Sequence, residues 1–238
     1  MRRREFVIAS ASLAGVALPA IARAVANPCA PPSLTIDGGA AVTTACAAKT
    51  YTTNFAGLEN PLSEGGVWSN VGLDWTNVQK VNGLACGTLD GTGGYNDSYA
   101  HLSGFPADHT ASAVVRVASG LTDTHEVELL MRWADSARSA RGYECNMNYQ
   151  GGCQIVRWNG TIGDFTVLGG ANAPGVSTGD VFKASVVGNV ITVWLNNTQI
   201  VQVTDGTFTS GNPGIGFYRR TSGANTDYGF TSFTATSP

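Results

Sequence analysis

The chain has 238 residues, of which 13% are charged and 30 are glycine, with a formal net charge of −3. The charged share is about half the ~25% of an ordinary soluble domain, which excludes a disordered tail, a coiled coil and a long charged helix. The mildly acidic balance gives no general attraction to nucleic acid or anionic lipid.

In chain order, the first predicted element is an address. Arg2, Arg3 and Arg4 form a basic start, an apolar run follows from Val7 to Leu18, and Ala24-Val-Ala26 closes the segment with small residues. This is the three-part layout of a secretory signal, and the run is too short to cross a bilayer as a stable helix. Arg3-Arg-Glu-Phe-Val-Ile8, with Arg23 near the cleavage point, resembles a twin-arginine export signal; the alternative is a general secretory signal with an incidental arginine. Residues 1–26 are therefore expected to be removed and the protein to be secreted or periplasmic. No other segment is long and apolar enough to span a membrane, and oligomeric state stays open.

Residues 27–50, rich in Pro, Ala and Thr, are expected to be an extended lead-in to one domain at 51–238. Strands are predicted at 112–117, 126–133, 143–147, 154–158, 182–187, 190–195, 199–203, 214–218 and 227–234. Gly188-Asn189 separates two β-branched runs by two residues, a strong hairpin signal, and Asn196-Asn-Thr198 supplies the next turn. No apolar 3.6-residue period lasts three helical turns. The expected fold is all-β, a two-sheet antiparallel jelly-roll sandwich.

Exported domains meet an oxidising compartment, where disulfides persist. Cys145 and Cys153 flank a predicted hairpin tip ending Tyr149-Gln-Gly-Gly152. A turn centred on Tyr149 would set them opposite each other as a disulfide. Pairing among Cys29, Cys46 and Cys86 is left open by spacing alone. The histidines lie apart from the cysteines and no C-x-x-C occurs, so no structural zinc site is expected.

Alternation sends Val127, Leu129, Met131 and Trp133 to one face of strand 126–133, and Glu126, Glu128, Leu130 and Arg132 to the other. Strand 143–147 likewise separates Tyr143, Cys145 and Met147 from Glu144, Asn146 and Asn148. If the apolar sides meet, the polar sides share one surface, which the hairpin extends to Gln154 and Trp158. Glu128 and Glu144 are the candidate acid, base or nucleophile for glycoside cleavage. Arg132, with Asn146 or Asn148, could instead neutralise a uronate for lyase chemistry. Trp158 offers a flat face to a sugar ring. The plain alternative is cross-strand pairing of both glutamates with Arg132 and Arg157 on a solvated face. Trp68, Trp75, Trp133 and Trp194 are expected in packing roles, and His101, His109 and His125 in surface or hydrogen-bonding ones.

Phe55-Ala-Gly57 with Pro61-Leu-Ser-Glu-Gly-Gly-Val-Trp68, then His125-Glu-Val-Glu-Leu-Leu-Met-Arg132, Arg141-Gly-Tyr-Glu144 and Ile155-Val-Arg-Trp-Asn-Gly160 resemble successive strands of a laminin-G-like, concanavalin A-like jelly roll. Gly188-Asn-Val-Ile-Thr-Val-Trp-Leu-Asn196, Gly211-Asn-Pro-Gly-Ile-Gly-Phe217 and Asp227-Tyr-Gly-Phe-Thr-Ser-Phe233 resemble its later strands. The Gly-Tyr-Glu and closing segments are similar to the 3-keto-disaccharide hydrolase-type branch. The resemblance implies a polysaccharide or oligosaccharide ligand, in a superfamily that includes hydrolases, lyases, lectins and adhesion modules. The Glu-x-Asp-x-x-Glu signature of laminarinase-like hydrolases is absent, and so are the jelly-roll alginate lyase motifs. A glycan-degrading enzyme is the leading expectation, and a non-catalytic lectin-like or adhesion module the alternative. The sequence requires no cofactor; the loop 90–97, Asp90-Gly-Thr-Gly-Gly-Tyr-Asn-Asp97, carries oxygen ligands that could hold calcium or could form a plain Gly-rich turn.

Overall fold

The computed structural model describes residues 48–70, 75–89, 97–121, 125–219 and 223–238. The export signal, most of the lead-in, Cys29, Cys46 and most of the loop 90–97 lie outside them.

Two sheets are stacked. The first is nine-stranded, in the order β14 (Thr198–Thr204), β13 (Val190–Leu195), β12 (Val181–Val187), β7 (His109–Val117), β16 (Tyr228–Thr236), β5 (Ala85–Cys86), β4 (Gln79–Val81) and β2 (Leu58–Glu59), with β1 (Thr50–Thr53) also paired to β16. The second is seven-stranded, in the order β11 (Phe165–Ala171), β10 (Cys153–Gly160), β9 (Ser139–Asn148), β8 (His125–Ser136), β15 (Asn212–Arg219), β6 (Asp97–His101) and β3 (Thr76–Asn77). The strands pair antiparallel except β3 with β6. Among the described residues the only helix is a 3-10 turn at Asn225–Asp227. The all-β two-sheet expectation holds, and β12, β13 and β14 form the predicted meander.

Alternation builds the main core between the sheets. Val127, Leu129 and Met131 of β8, with Tyr143, Cys145 and Met147 of β9, meet Ala113 and Val115 of β7, Phe182, Ala184 and Val186 of β12, and Phe230 of β16. Small alanines on β7 face larger side chains opposite, so the layers interdigitate.

The hairpin between β9 and β10 corrects the predicted disulfide. Its register pairs Cys153 with Met147 and Cys145 with Ile155, and both thiols are free and buried. The turn centres one residue later than predicted, because Asn148 Oδ1 accepts from Gln150 N (2.8 Å) and Gly151 and Gly152 take positive φ. Burial pushes the Cys153 thiol up to about 12, the Cys86 thiol to about 11 and Cys145 well above its ordinary value. All three are expected to resist alkylation at neutral pH in the native protein and to label fully in denaturant, as peptide mapping would show.

The larger departure lies in β8. Its register with β9 shifts between Met131 and Ala134, so Arg132 and Trp133 form a bulge. Arg132 takes φ +49 and turns away from the glutamates. Its Nε donates to Ala107 O (2.9 Å), Nη1 to Phe208 O (2.8 Å) and Nη2 to Asp108 Oδ1 (2.9 Å). Arg132 is therefore a buried strut between loops, and Trp133 emerges on the face where Arg132 was expected.

His109 locks the same bulge. Nδ1 donates to Pro106 O (2.8 Å), and Nε2 accepts from Arg132 N (3.2 Å), a pattern that requires the neutral ring. Burial lowers its pKa from 6.5 to about 4. The unfolded chain takes up this proton first, so the contribution is complete above pH 6.5 and drains away as pH falls towards 4. Stability is expected to drop by about 3 kcal/mol between about pH 7 and pH 4 from this group alone. Urea denaturation of the wild type and His109→Gln at both pH values would isolate it.

Candidate functional site

The face of the seven-stranded sheet that points away from the main core carries the polar side chains. Register places them in rows. Asp97, Tyr218, Glu126 and Asn148 form one, Tyr99, Gly216, Glu128, Asn146 and Gln154 the next, and His101, Gly214, Leu130, Glu144 and Val156 the third. Beyond the bulge, Trp158 pairs with Gly142 and with Phe165. Of the residues singled out by sequence, Glu128, Glu144, Asn146, Asn148, Gln154 and Trp158 share this face, while Arg132 leaves it. Neither guanidinium of the plain alternative serves the glutamates, because Arg157 Nη1 is paired with Asp205 Oδ2 at 2.6 Å and Arg132 with Asp108.

Glu126, Glu128 and Glu144 converge, each offering a carboxylate oxygen within 4.8 Å of the others. Both oxygens of Glu144 are oriented: Trp158 Nε1 donates to Oε2 at 2.6 Å and Asn146 Nδ2 to Oε1 at 2.9 Å. Glu128 fits because its neighbour on β15 is Gly216, where a Cβ would lie 2.3 Å from Glu128 Oε2.

Beside the carboxylates stands a second apolar cluster of Trp75, Tyr99, Leu130, Trp133, Ala140, Val156 and Trp158. Trp75 stacks on Trp133 at 6.0 Å and meets Trp158 edge-on at 4.6 Å. Tyr99 Oη donates to Asp135 Oδ2 (2.7 Å), and Asp135 Oδ1 lies 3.1 Å from His101 Nε2. Thus Trp75 and Trp133 do pack, but on the polar face rather than in the main core, whereas Trp68 sits in the main core.

The face is enclosed rather than an open groove: Glu128, Glu144 and Asn146 are 0% exposed and Gln154 6%. The aromatic cluster supplies part of that cover. Among the described residues, the indole N–H of Trp75 and of Trp133, Asn146 Oδ1 and Gln154 Oε1 are buried there with no hydrogen-bond partner. Two donors and two acceptors left over on one face suit a ligand that both gives and takes hydrogen bonds.

Sequence reasoning passed over Glu126, Tyr99, His101 and Asp135 as site residues. Glu126 was legible, since it shares the alternation of Glu128. The His101–Asp135 contact joins β6 to β8 across β15 and carries no local signal.

No family model matches the sequence, and no curated protein matches it. Among solved structures the chain is similar to the carbohydrate-binding module CBM66 from Bacillus subtilis, with 15% identity and a TM-score of 0.51 over 74% of this chain and 94% of that one. It is also similar to the potassium-bound carbohydrate recognition domain of Emp46p, with 11% identity and a TM-score of 0.50 over 78% of this chain and 98% of that one. At such identities the likeness shows the fold alone: an all-β, two-sheet jelly-roll sandwich.

Proposed function

We propose that the chain is an exported glycan-binding jelly-roll protein that cleaves its ligand by hydrolysis. The observation that carries this reading is the coexistence, on one sheet face, of the Glu128–Glu144 pair, the aromatic cluster and buried polar atoms without a partner among the described residues. Sugar hydroxyls both donate and accept, which matches the donors and acceptors left over on this face. The two structurally similar jelly rolls, a carbohydrate-binding module and a carbohydrate recognition domain, add support at the level of fold.

Hydrolysis is favoured over β-elimination because the guanidinium assigned to uronate neutralisation is spent on Asp108 and two carbonyl oxygens. Glu128 and Glu144 each bring a carboxylate oxygen within 4.8 Å of the other, close enough for the two groups to act on one glycosidic bond. On this reading one glutamate is the general acid and the other the base or nucleophile. The twin-arginine signal over 1–26, a single domain over 51–238 and affinity to the 3-keto-disaccharide hydrolase branch belong to the same proposal.

A non-catalytic lectin is the second reading, favoured by the complete burial of Glu144 and the engagement of both its oxygens. Incubation with a panel of neutral and uronic polysaccharides separates these. New reducing ends support hydrolysis, unsaturated uronates would mean a lyase, and binding on a glycan array without cleavage would leave the lectin. Neither cleavage nor binding across both panels would overturn the glycan reading.

A further inference from the structure

We propose that Glu126, Glu128 and Glu144, with the amide oxygens of Asn146 and Gln154, form a binding site for one hard divalent cation of calcium size. This site is separate from the loop 90–97.

Donor chemistry is the first argument. Hard cations are held by carboxylate and amide oxygens, and this set is made of those alone. Glu126 and Glu128 project from the same side of β8, and Glu144 and Asn146 from the facing side of β9, so adjacent strands supply the carboxylates from a rigid base.

Size is the second. The carboxylate oxygens lie within 4.8 Å of one another, inside the ~4.8 Å that opposed ligands span across calcium, so one ion can touch all three. Calcium takes about six to eight oxygens and accepts them from protein, where magnesium keeps several waters.

The third argument is independent of the acids. Asn146 is 0% exposed, and its Nδ2 is committed to Glu144 Oε1 while its Oδ1 has no partner. Because Asn146 stands opposite Glu128 and bonds Glu144, its carboxamide lies between those two carboxylates. The Oε1 of Gln154, the next residue in the same row, is likewise buried and unpartnered. A buried amide oxygen without a donor is costly, and a cation satisfies it directly.

The site rests on these residues and not on the glycan reading, although the two meet: a bound ion would occupy the oxygens that hydrolysis needs, so loaded protein would bind without cleaving.

Terbium, a luminescent calcium analogue, tests the site on the full protein without any glycan. Trp158 donates directly to Glu144, so excitation of tryptophan should sensitise terbium emission, and calcium should quench it by competition. Calorimetric titration with calcium should show one site, weakened ~10-fold or more by Glu126→Gln and by Asn146→Ala. If either variant fails to fold, the other and the wild-type terbium signal carry the comparison. No sensitised emission and no calcium heat would overturn the site. So would binding that survives both variants but disappears in Asp90→Asn, which would locate the ion in the loop. Glycan binding is measured separately, so failure of one reading leaves the other standing.

Discussion

Glu144→Gln is expected to lower turnover of the cleaved glycan by ~10²–10⁴-fold while leaving the protein folded. The substitution removes the negative charge and the exchangeable carboxyl proton but keeps the side-chain shape. Its packing consequence is small for a specific reason. Glutamate accepts from Trp158 on Oε2 and from Asn146 on Oε1, whereas glutamine can keep only one of those as an acceptor. With its oxygen towards Trp158, its amide would face Asn146, whose carboxamide can rotate to present Oδ1. Without a bound ion, that oxygen has no other partner to lose among the described residues. The denaturation midpoint should therefore move little, within about 1 kcal/mol. Normal turnover in a folded Glu144→Gln protein would assign Glu144 to orienting Trp158 and leave the lectin reading. Glu128→Gln should match it in turnover, because members of a carboxylate pair act as a unit.

The alternation that singled out this pair was reliable wherever the strand stayed regular. Glu128, Glu144, Asn146 and Asn148 fall on one face because β8 and β9 keep their pleat as far as Met131 and Tyr143. Gln154 and Trp158 were placed correctly even though the turn was misjudged. Moving its centre by one residue shifts every pairing by two, and a shift of two keeps each side chain on its face. The same slip, harmless for faces, was decisive for the disulfide, which needs two cysteines opposite each other. Arg132 failed because a bulge inverts everything after it. The two-residue strands β2 and β3 left no pattern, since their pairing is imposed by β4 and β6 further along the chain. Enclosure of the face was equally illegible, because alternation reports direction and not what lies above a side chain.

The bulge nonetheless left a mark in the sequence, and that mark yields the largest stability effect. An extra residue in β8 crowds the chain on both sides, and each side meets it with a glycine, Gly142 within β9 and Gly211 just before β15. A Cβ on Gly142 would lie 2.9 Å from Arg132 O and from Trp133 Cα, and one on Gly211 would lie 2.1 Å from Arg132 O and 2.7 Å from its Cα. Gly211 also takes φ +133, which side chains rarely adopt. Gly211→Ala is expected to destabilise the protein by about 3 kcal/mol or more, since the clash is with backbone that Arg132 has pinned through three side-chain hydrogen bonds. Relief requires the bulge to retreat, which withdraws Trp133 from Trp75 and Asp135 from Tyr99 and His101. Urea denaturation followed by tryptophan fluorescence would show both the lower midpoint and an altered native spectrum. Gly206→Ala is the control, because the nearest atom to its Cβ is Asn189 Cβ at 3.8 Å, and its effect should stay within about 0.5 kcal/mol. Equal stability of the two variants would mean that the strand can absorb the crowding. The turn of Arg132 away from the glutamates would then be one of two accessible arrangements, and uronate neutralisation by Arg132 would return as a route to cleavage.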